Sequence, residues 1–200
     1  VDGDRSRWKW VLKADLNPGH VAGGSGGQYF VGEFDGSRFV PDPSAEAVRW
    51  LDGGRDFYCA SHWHFLPGAL PDLTWIGWMN NWAYAGEVPT FPWRGTMTIP
   101  RKLGLRMRSG APDAAAVARA GLRVLARDGR RVVAVVTYDA ARGELRFERA
   151  AAGNARVNDA FPGIQAMPVP APAPDAPLRL FVDRNVIEVF AGEGTAVMSN

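Results

Sequence analysis

The stretch with the most chemical content is Trp75-Ile-Gly-Trp-Met-Asn-Asn-Trp82. Trp78 and Trp82 stand four apart, and the Met79-Asn80-Asn81 between them is odd filling for a plain core strand. Indole faces stack on the apolar C–H faces of sugars, while asparagine amides offer paired donors and acceptors to hydroxyls. On residue types alone the segment reads either as a sugar-binding wall or as a structural aromatic core. Asp52 and Asp56 add two carboxylates beside a turn, and on local grounds Asp52 in Asp52-Gly-Gly54 caps that turn.

Three further constellations carry less. His62 and His64 are two apart on an expected strand, so both rings share a face, but no third ligand at metal-binding spacing accompanies them. They read as exposed or hydrogen-bonded histidines; His20 lies in a loop. Cys59 has no neighbouring base to activate a thiolate and reads as a small buried core residue. The glycine-rich Gly23-Gly-Ser-Gly-Gly27 resembles a phosphate cradle only superficially. Such a cradle needs a helix after it to aim amides and dipole at the anion, and here a strand follows.

The elements that must position these residues are short strands. Residues 7–15 alternate so that Trp8, Trp10 and Leu12 share one face. Gln28 to Phe34 forms a second strand, Asp35-Gly36 a tight turn, and Phe39-Val40 the return. Val48 to Trp50, Phe57 to Trp63, Thr74 to Met79 and Thr96 to Pro100 complete a first half of closely spaced strands. That spacing fits a sandwich, barrel or propeller rather than alternating β-α units. In the second half a helix is expected over Ala114–Ala120, capped by Asp113, although it is short and lacks an amphipathic stripe. Strands resume with Arg131–Tyr138, Gly143–Glu148, Leu178–Asp183 and Val186–Phe190. Asp139 to Gly143 and Asp183-Arg-Asn185 make hairpin-like connections, and Met167–Pro177 is an extended Pro/Ala loop.

Composition narrows the classes. Gly (23) and Pro (15) are frequent, and five of the eight tryptophans fall between Trp63 and Trp93, which fits a turn-rich all-β protein with an aromatic cleft. A net charge of +2 gives no electrostatic case for nucleic acid or anionic lipid. No run reaches the roughly 18 apolar residues of a membrane span. One cysteine makes no internal disulfide and leaves the compartment open.

Taken together, the stretches resemble glycoside hydrolase family 32, the β-fructofuranosidases: invertases, levanases, inulinases and sucrose-6-phosphate hydrolases. Gly24-Ser-Gly-Gly-Gln-Tyr-Phe-Val-Gly-Glu-Phe-Asp-Gly36 is similar to a family strand pair, and Asp52-Gly-Gly-Arg-Asp-Phe-Tyr58 to its Asp-Tyr-Gly-Lys-Asp-Phe-Tyr element. Ile76-Gly-Trp-Met-Asn-Asn-Trp82, Pro89-Thr-Phe-Pro-Trp-Arg-Gly-Thr-Met-Thr-Ile-Pro-Arg101 and Phe181-Val-Asp-Arg-Asn-Val-Ile-Glu-Val-Phe190 match three more blocks. The resemblance implies an all-β fold: part of a five-bladed β-propeller over residues 1–103, a shortened linker over 104–121 and an incomplete β-sandwich over 122–200.

It also implies a retaining mechanism with no metal or cofactor, in which nucleophile and acid/base carboxyls stand about 5 Å apart. In the family the nucleophile lies in Trp-Met-Asn-Asp-Pro-Asn-Gly, the transition-state stabiliser in Arg-Asp-Pro and the acid/base in Glu-Cys. None of these blocks is in this sequence. Trp78-Met-Asn-Asn81 has Asn81 where an Asp would be needed and belongs to a different block, and Cys59 follows Tyr58, not Glu. No catalytic residue is therefore assigned, and the chain is expected to be a fragment that does not turn over substrate by itself.

What the resemblance carries over is a substrate wall: Asp52 as a hydrogen-bond partner of fructosyl hydroxyls, Trp78 as an indole of the fructosyl pocket, and Asn80 and Trp82 as neighbours. Asp56, Tyr58, Trp93 and Arg94 are expected in the scaffold, and Asp183, Arg184 and Glu188 as bridges within the sandwich. The expected ligand is sucrose or a fructan oligosaccharide, with secretion favoured. Open propeller edges invite self-association. A non-catalytic sugar-binding protein from a truncated gene is the alternative.

Overall fold

Most strands of this chain form where apolar residues alternate between turn signals, and among the described residues they assemble into four small antiparallel sheets. The computed structural model describes residues 4, 6–43, 48–62, 73–105, 119–125, 132–139, 142–149, 158–169, 177–183 and 185–200. The first sheet is a meander of β1 (Trp10–Leu16), β2 (Gly26–Phe34) and β3 (Phe39–Pro41). Its tight turn is the expected one: Asp35 Oδ1 accepts the Ser37 and Arg38 amides at 2.8 and 2.7 Å. The face carrying Trp8, Trp10 and Leu12 is exposed, with Trp8 stacked on Trp10 and Trp10 set edge-on to Phe34.

The second sheet is built around β5 (Thr74–Met79), which pairs with β4 (Tyr58–His62), β6 (Thr96–Met97) and β7 (Arg101–Lys102). The register of β4 on β5 slips between Tyr58 and Ser61, and Cys59 within the slip has a φ of +52°. That bulge turns the Cys59 side chain outward, so the thiol expected in the core is exposed. Val48 to Trp50 contributes only a single bridge, Trp50 to Gln28.

The remaining strands make two sheets packed face to face. One is β8 (Arg119–Leu125), β9 (Val132–Asp139), β10 (Glu144–Arg149) and β11 (Gly163–Pro168), in the order β11-β10-β9-β8. The other is β12 (Arg179–Val182), β13 (Ile187–Ala191) and β14 (Ala196–Ser199). Ala134, Val136, Leu145 and Phe147 from the first meet Ile187, Val189, Ala191, Ala196 and Met198 from the second in one apolar core.

Two expected elements also differ. Of the helix expected over 114–120, residues 114–118 lie outside the described residues, and Arg119 and Ala120 open β8, paired with Asp139 and Tyr138. Pairing with β9 overrides the helical propensity of alanine. Met167 and Pro168, expected to begin a loop, instead end β11, opposite Leu145 and Glu144. His64 and Arg184 also lie outside the described residues.

The two halves meet along a polar seam. The loop 52–56 lies against β14 almost as another strand: Gly53 N–H donates to Val197 C=O at 2.7 Å, and Asp56 N–H donates to Ser199 C=O at 3.0 Å. Gly54 is required by this approach, since a Cβ there would lie 2.2 Å from the Ser199 carbonyl oxygen. Arg101 on β7 donates to Asp52 at 2.9 Å, to Glu188 at 2.7 Å and to Ser199 Oγ at 2.5 Å. Glu188, expected to bridge within the sandwich, instead reaches across the seam; its other oxygen accepts Ile99 N–H at 2.7 Å. A second buried cluster joins Arg149 on β10 to Asp56 at 2.6 Å, with Tyr84 and Asn200 beside it. Tyr84 O–H donates to Asp56 at 2.5 Å.

Candidate functional site

β5 ends in the aromatic segment. Its alternation sends Ile76 and Trp78 to one face and Trp75, Gly77 and Met79 to the other. Tyr58 lies directly across from Trp78 in the β4–β5 ladder, and their rings meet at 6.2 Å, edge to face. Beyond the strand end the chain turns, with Tyr84 N–H donating to Asn81 C=O, and this turn brings the Trp82 indole to 5.0 Å from Trp78 at 54°. Tyr58, Trp78 and Trp82 thus form a continuous aromatic wall. Trp78 is partly buried and Trp82 is 57% exposed, so the wall is anchored at one end and open at the other. A tilted indole pair with one free face is suited to the C–H surface of a sugar ring.

The other two candidate residues stand behind the wall. Asn80 is buried beside it: its Oδ1 accepts the Asn81 amide at 2.8 Å, and its Nδ2 is buried without a hydrogen-bond partner. Gly95 lies against both Asn80 and the Trp78 indole nitrogen, packing the 89–95 segment onto the back of the wall. Arg94 anchors that segment through the Gly86 and Val88 carbonyls, in the scaffold role expected of it. Trp93, expected in the scaffold, is largely exposed.

Asp52 differs most from its expected position. It is 2% exposed, and its oxygens accept the Gly54 amide, the Ser199 amide and hydroxyl, and the Arg101 guanidinium. The turn-capping role read from local sequence is present, at 2.8 Å to Gly54. No oxygen is left for a sugar hydroxyl, because the seam fills the carboxylate with donors. Asp56 is likewise engaged at both oxygens, by Tyr84 and by Arg149. Burial penalises the charge of Arg149, but the Asp56 carboxylate and the Tyr84 hydroxyl outweigh it and hold the guanidinium above its ordinary pKa. Burial, with the adjacent Asp56 charge, pushes the Tyr84 hydroxyl far up. Both carboxylates therefore serve as fixed structural anions.

The glycine loop is followed by β2, as expected, and acts as a brace. Ser25 is fully buried, and its Oγ accepts the Trp82 amide at 3.1 Å. His20 sits beneath the loop, edge-on to Trp50 at 4.6 Å. Its Nε2–H donates to Asp52 C=O at 3.0 Å, while its Nδ1 accepts the Ala22 amide. Only a neutral imidazole can do both. Burial depresses the His20 pKa below its ordinary 6.5, and the nearby Arg55 charge adds to this, against the pull of the Asp52 carbonyl and charge. An unfolded chain takes up a proton as pH falls through 6.5, while the folded chain resists. The His20 contribution is thus fully present above that pH and lost below it, with a slope of at most about 1.4 kcal/mol per pH unit. Urea unfolding at pH 7.5 and 5.5 should show a larger acid-side loss in the wild-type chain than in His20→Gln. Equal losses would remove His20 from this role.

Sequence reasoning missed Arg101 and Arg149. A signal for Arg149 was available: it continues the Leu145, Phe147 alternation onto the core face of β10, where a charge must find a partner. Ser25 and Asn81 gave no comparable signal. Among the described residues no group of three His, Cys, Asp or Glu side chains could hold a metal ion.

Comparison with known proteins matches this architecture. The model of the Glycosyl hydrolases family 32 N-terminal domain matches residues 1–111, and that of the Glycosyl hydrolases family 32 C terminal matches residues 84–200. The chain is 32% identical to a levanase of Bacillus subtilis, covering 100% of this chain and 37% of the levanase. It is 31% identical to an extracellular exo-inulinase of Aspergillus niger, covering 100% of this chain and 47% of the inulinase. The crystal structure of an exo-inulinase from Aspergillus awamori superposes with a TM-score of 0.78 at 29% identity, over 96% of this chain and 47% of that one. The chain therefore spans less than half the length of these relatives, and its sheets are part of a propeller-plus-sandwich fold that is not closed here. With both family models together spanning its length, the chain belongs to glycosyl hydrolase family 32.

Proposed function

We propose that this chain supplies an aromatic wall of a fructosyl-binding cleft in a β-fructan or sucrose hydrolase, and that by itself it binds sugar without cleaving it. The observation that carries this reading is the Trp78–Trp82 pair, with one indole packed and the other 57% exposed, on a family 32 chain. Asn80 backs that wall, and Asp52 contributes by fixing the 52–56 turn. The family's hydrolysis needs two carboxylates free to attack and to protonate. Asp52 and Asp56, the two carboxylates of the loop that leads into β4, are both committed to arginine.

Titration of intrinsic fluorescence with levan or inulin oligosaccharides, alongside reducing-sugar release, tests the proposal. Binding without release is expected, with affinity at least tenfold weaker in Trp82→Ala. Unchanged affinity in that variant would sink the site, and release by the wild-type chain would sink the non-catalytic reading.

The proposal extends to assembly and location. β1 and β3 are the edges of the first sheet, and Trp8 and Trp10 stand exposed beside β1's free edge. Such edges and faces favour pairing with a second chain, so size-exclusion chromatography should show oligomers; a compact monomer at all concentrations counts against it. Secretion is supported by the extracellular exo-inulinase relatives. Among the described residues no helix is long and apolar enough to cross a membrane.

A further inference from the structure

Asn81 is fully buried, and both polar atoms of its side chain are hydrogen-bonded. Its Oδ1 accepts the amides of Ser25 at 3.2 Å and Ala83 at 2.9 Å. Its Nδ2 donates to the carbonyls of Arg55 at 2.8 Å, Gly23 at 3.1 Å and Ser25 at 3.3 Å. Three separate segments, the glycine loop, the 52–56 loop and the turn after β5, are thereby pinned to one side chain. Only a neutral primary amide fits. It presents one oxygen to two N–H groups and two N–H donors, one of them shared, to three carbonyls, whereas a carboxylate would point an anionic oxygen at those carbonyls.

The glycine loop is shaped around this amide. Gly24 has a φ of +72°, and a Cβ there would lie 2.0 Å from Asn81 Oδ1, so the loop can close over Asn81 only as glycine. Trp82 follows Asn81 directly and is held a second time, since its amide donates to Ser25 Oγ and Ser25 is itself bonded to Asn81 through both its N–H and its C=O. The backbone that carries the exposed indole is thus fixed from both sides by one buried residue.

We propose that Asn81 is the positioning residue of the sugar-binding wall, setting the pose of Trp82 against Trp78 without touching sugar itself. Its link to sugar affinity rests on the aromatic-wall reading above; its hold on the indole does not. The site is pre-organised: a buried amide fixes the geometry before ligand arrives, so the ordering cost is not charged against affinity.

The test uses the chain labelled with 15N at the tryptophan indoles, whose eight tryptophans give one N–H resonance each. The Trp82 and Trp78 resonances are assigned by their loss in Trp82→Phe and Trp78→Phe. Asn81→Asp keeps the side-chain volume and reverses the donors. Ser25→Ala removes a single hydrogen bond, to the Trp82 amide, and serves where Asn81→Asp does not fold. In either variant the Trp82 and Trp78 resonances should shift or broaden, those of Trp8 and Trp10 should hold, and levan affinity should fall at least tenfold. Ile187→Val, in the sandwich core, controls for a general loss of stability and should leave both readouts unmoved. Trp82 and Trp78 resonances that hold their wild-type positions in the folded variants would overturn the inference, even if Trp82→Ala still abolished binding. Resonances that move while levan binding is absent or unaffected would uphold Asn81 as the residue positioning the indoles and overturn the wall as a sugar site.

Discussion

Arg101→Ala should cost the chain about 3–5 kcal/mol of stability, the range found when one partner of a buried ion pair is removed. The guanidinium is 7% exposed and faces carboxylates that are 1% and 4% exposed, Asp52 and Glu188, from opposite sides of the seam. Truncation removes the counter-charge of both carboxylates, leaving Asp52 only its Gly54 and Ser199 donors and Glu188 only the Ile99 amide. It also empties the space between Phe57 and Phe190, whose rings lie 4.5 and 5.2 Å from the guanidinium carbon. For a chain of this length the loss corresponds to a drop in Tm on the order of 10 °C. A second substitution separates charge from packing. Glu188→Gln in the Arg101→Ala background should recover part of the loss, because one of the two stranded charges is gone, whereas Glu188→Gln alone should destabilise. A loss under about 1 kcal/mol for Arg101→Ala would mean that water reaches the seam, and would dissolve the account of Asp52 as a structural anion. Urea unfolding of the three variants measures all of this.

Phe147→Ala should be comparably damaging, at about 3–5 kcal/mol for a large aromatic deleted from a closed core. Phe147 is 1% exposed and sits between the two sheets of the sandwich. The informative quantity is where the loss registers. All eight tryptophans lie between Trp8 and Trp93 in sequence, ahead of every strand of the sandwich, which begins with β8 at Arg119. If the polar seam makes the halves one cooperative unit, the tryptophan emission midpoint must move with the far-ultraviolet circular dichroism midpoint, although the substitution is in the other half. Emission that stays at its wild-type midpoint while the dichroism shifts would show two independently melting units.

Much of the fold was legible in the sequence, and the reasons are local. β5 spans Thr74–Met79, as its alternation dictates, and the Asp35-Gly36 turn forms through its own side chain. The signals failed where the deciding partner is distant. β14 is Ala-Val-Met-Ser, short and buried on both faces, so no period of two marks it. β11 places a polar residue, Gln165, at a buried position and is bracketed by Gly163 and Pro168, which together read as a loop. The alanine-rich run before Leu122 favours a helix by propensity, yet its last residues take their conformation from β9.

The site divides in the same way. That Trp78 and Trp82 stand side by side was readable, because aromatic spacing on a strand and its following turn is local information. The engagement of Asp52 was not, since its sequence neighbourhood announces only a turn cap; the donors that occupy it come from Arg101 and Ser199. Asn81 was visible only as an unusual residue beside the tryptophans. Its value lies in three backbone segments that no sequence window joins.

Asp52 accepts its donors over a long span of chain: Arg101 stands 49 residues on and Ser199 147 residues on. Synthesis is directional, so these partners reach Asp52 in a fixed order. At the roughly 5–20 residues per second of translation, the Asp52 turn leaves the ribosome on the order of ten seconds before Ser199 exists. Until these partners arrive, water must supply the hydrogen bonds that Arg101 and Ser199 give this carboxylate in the finished fold. Arg101 partly neutralises it first, Glu188 then shares the arginine, and the Ser199 amide and hydroxyl close the shell. The buried charge of the finished seam is therefore withdrawn from water in steps, the last of them only when β14 has been made.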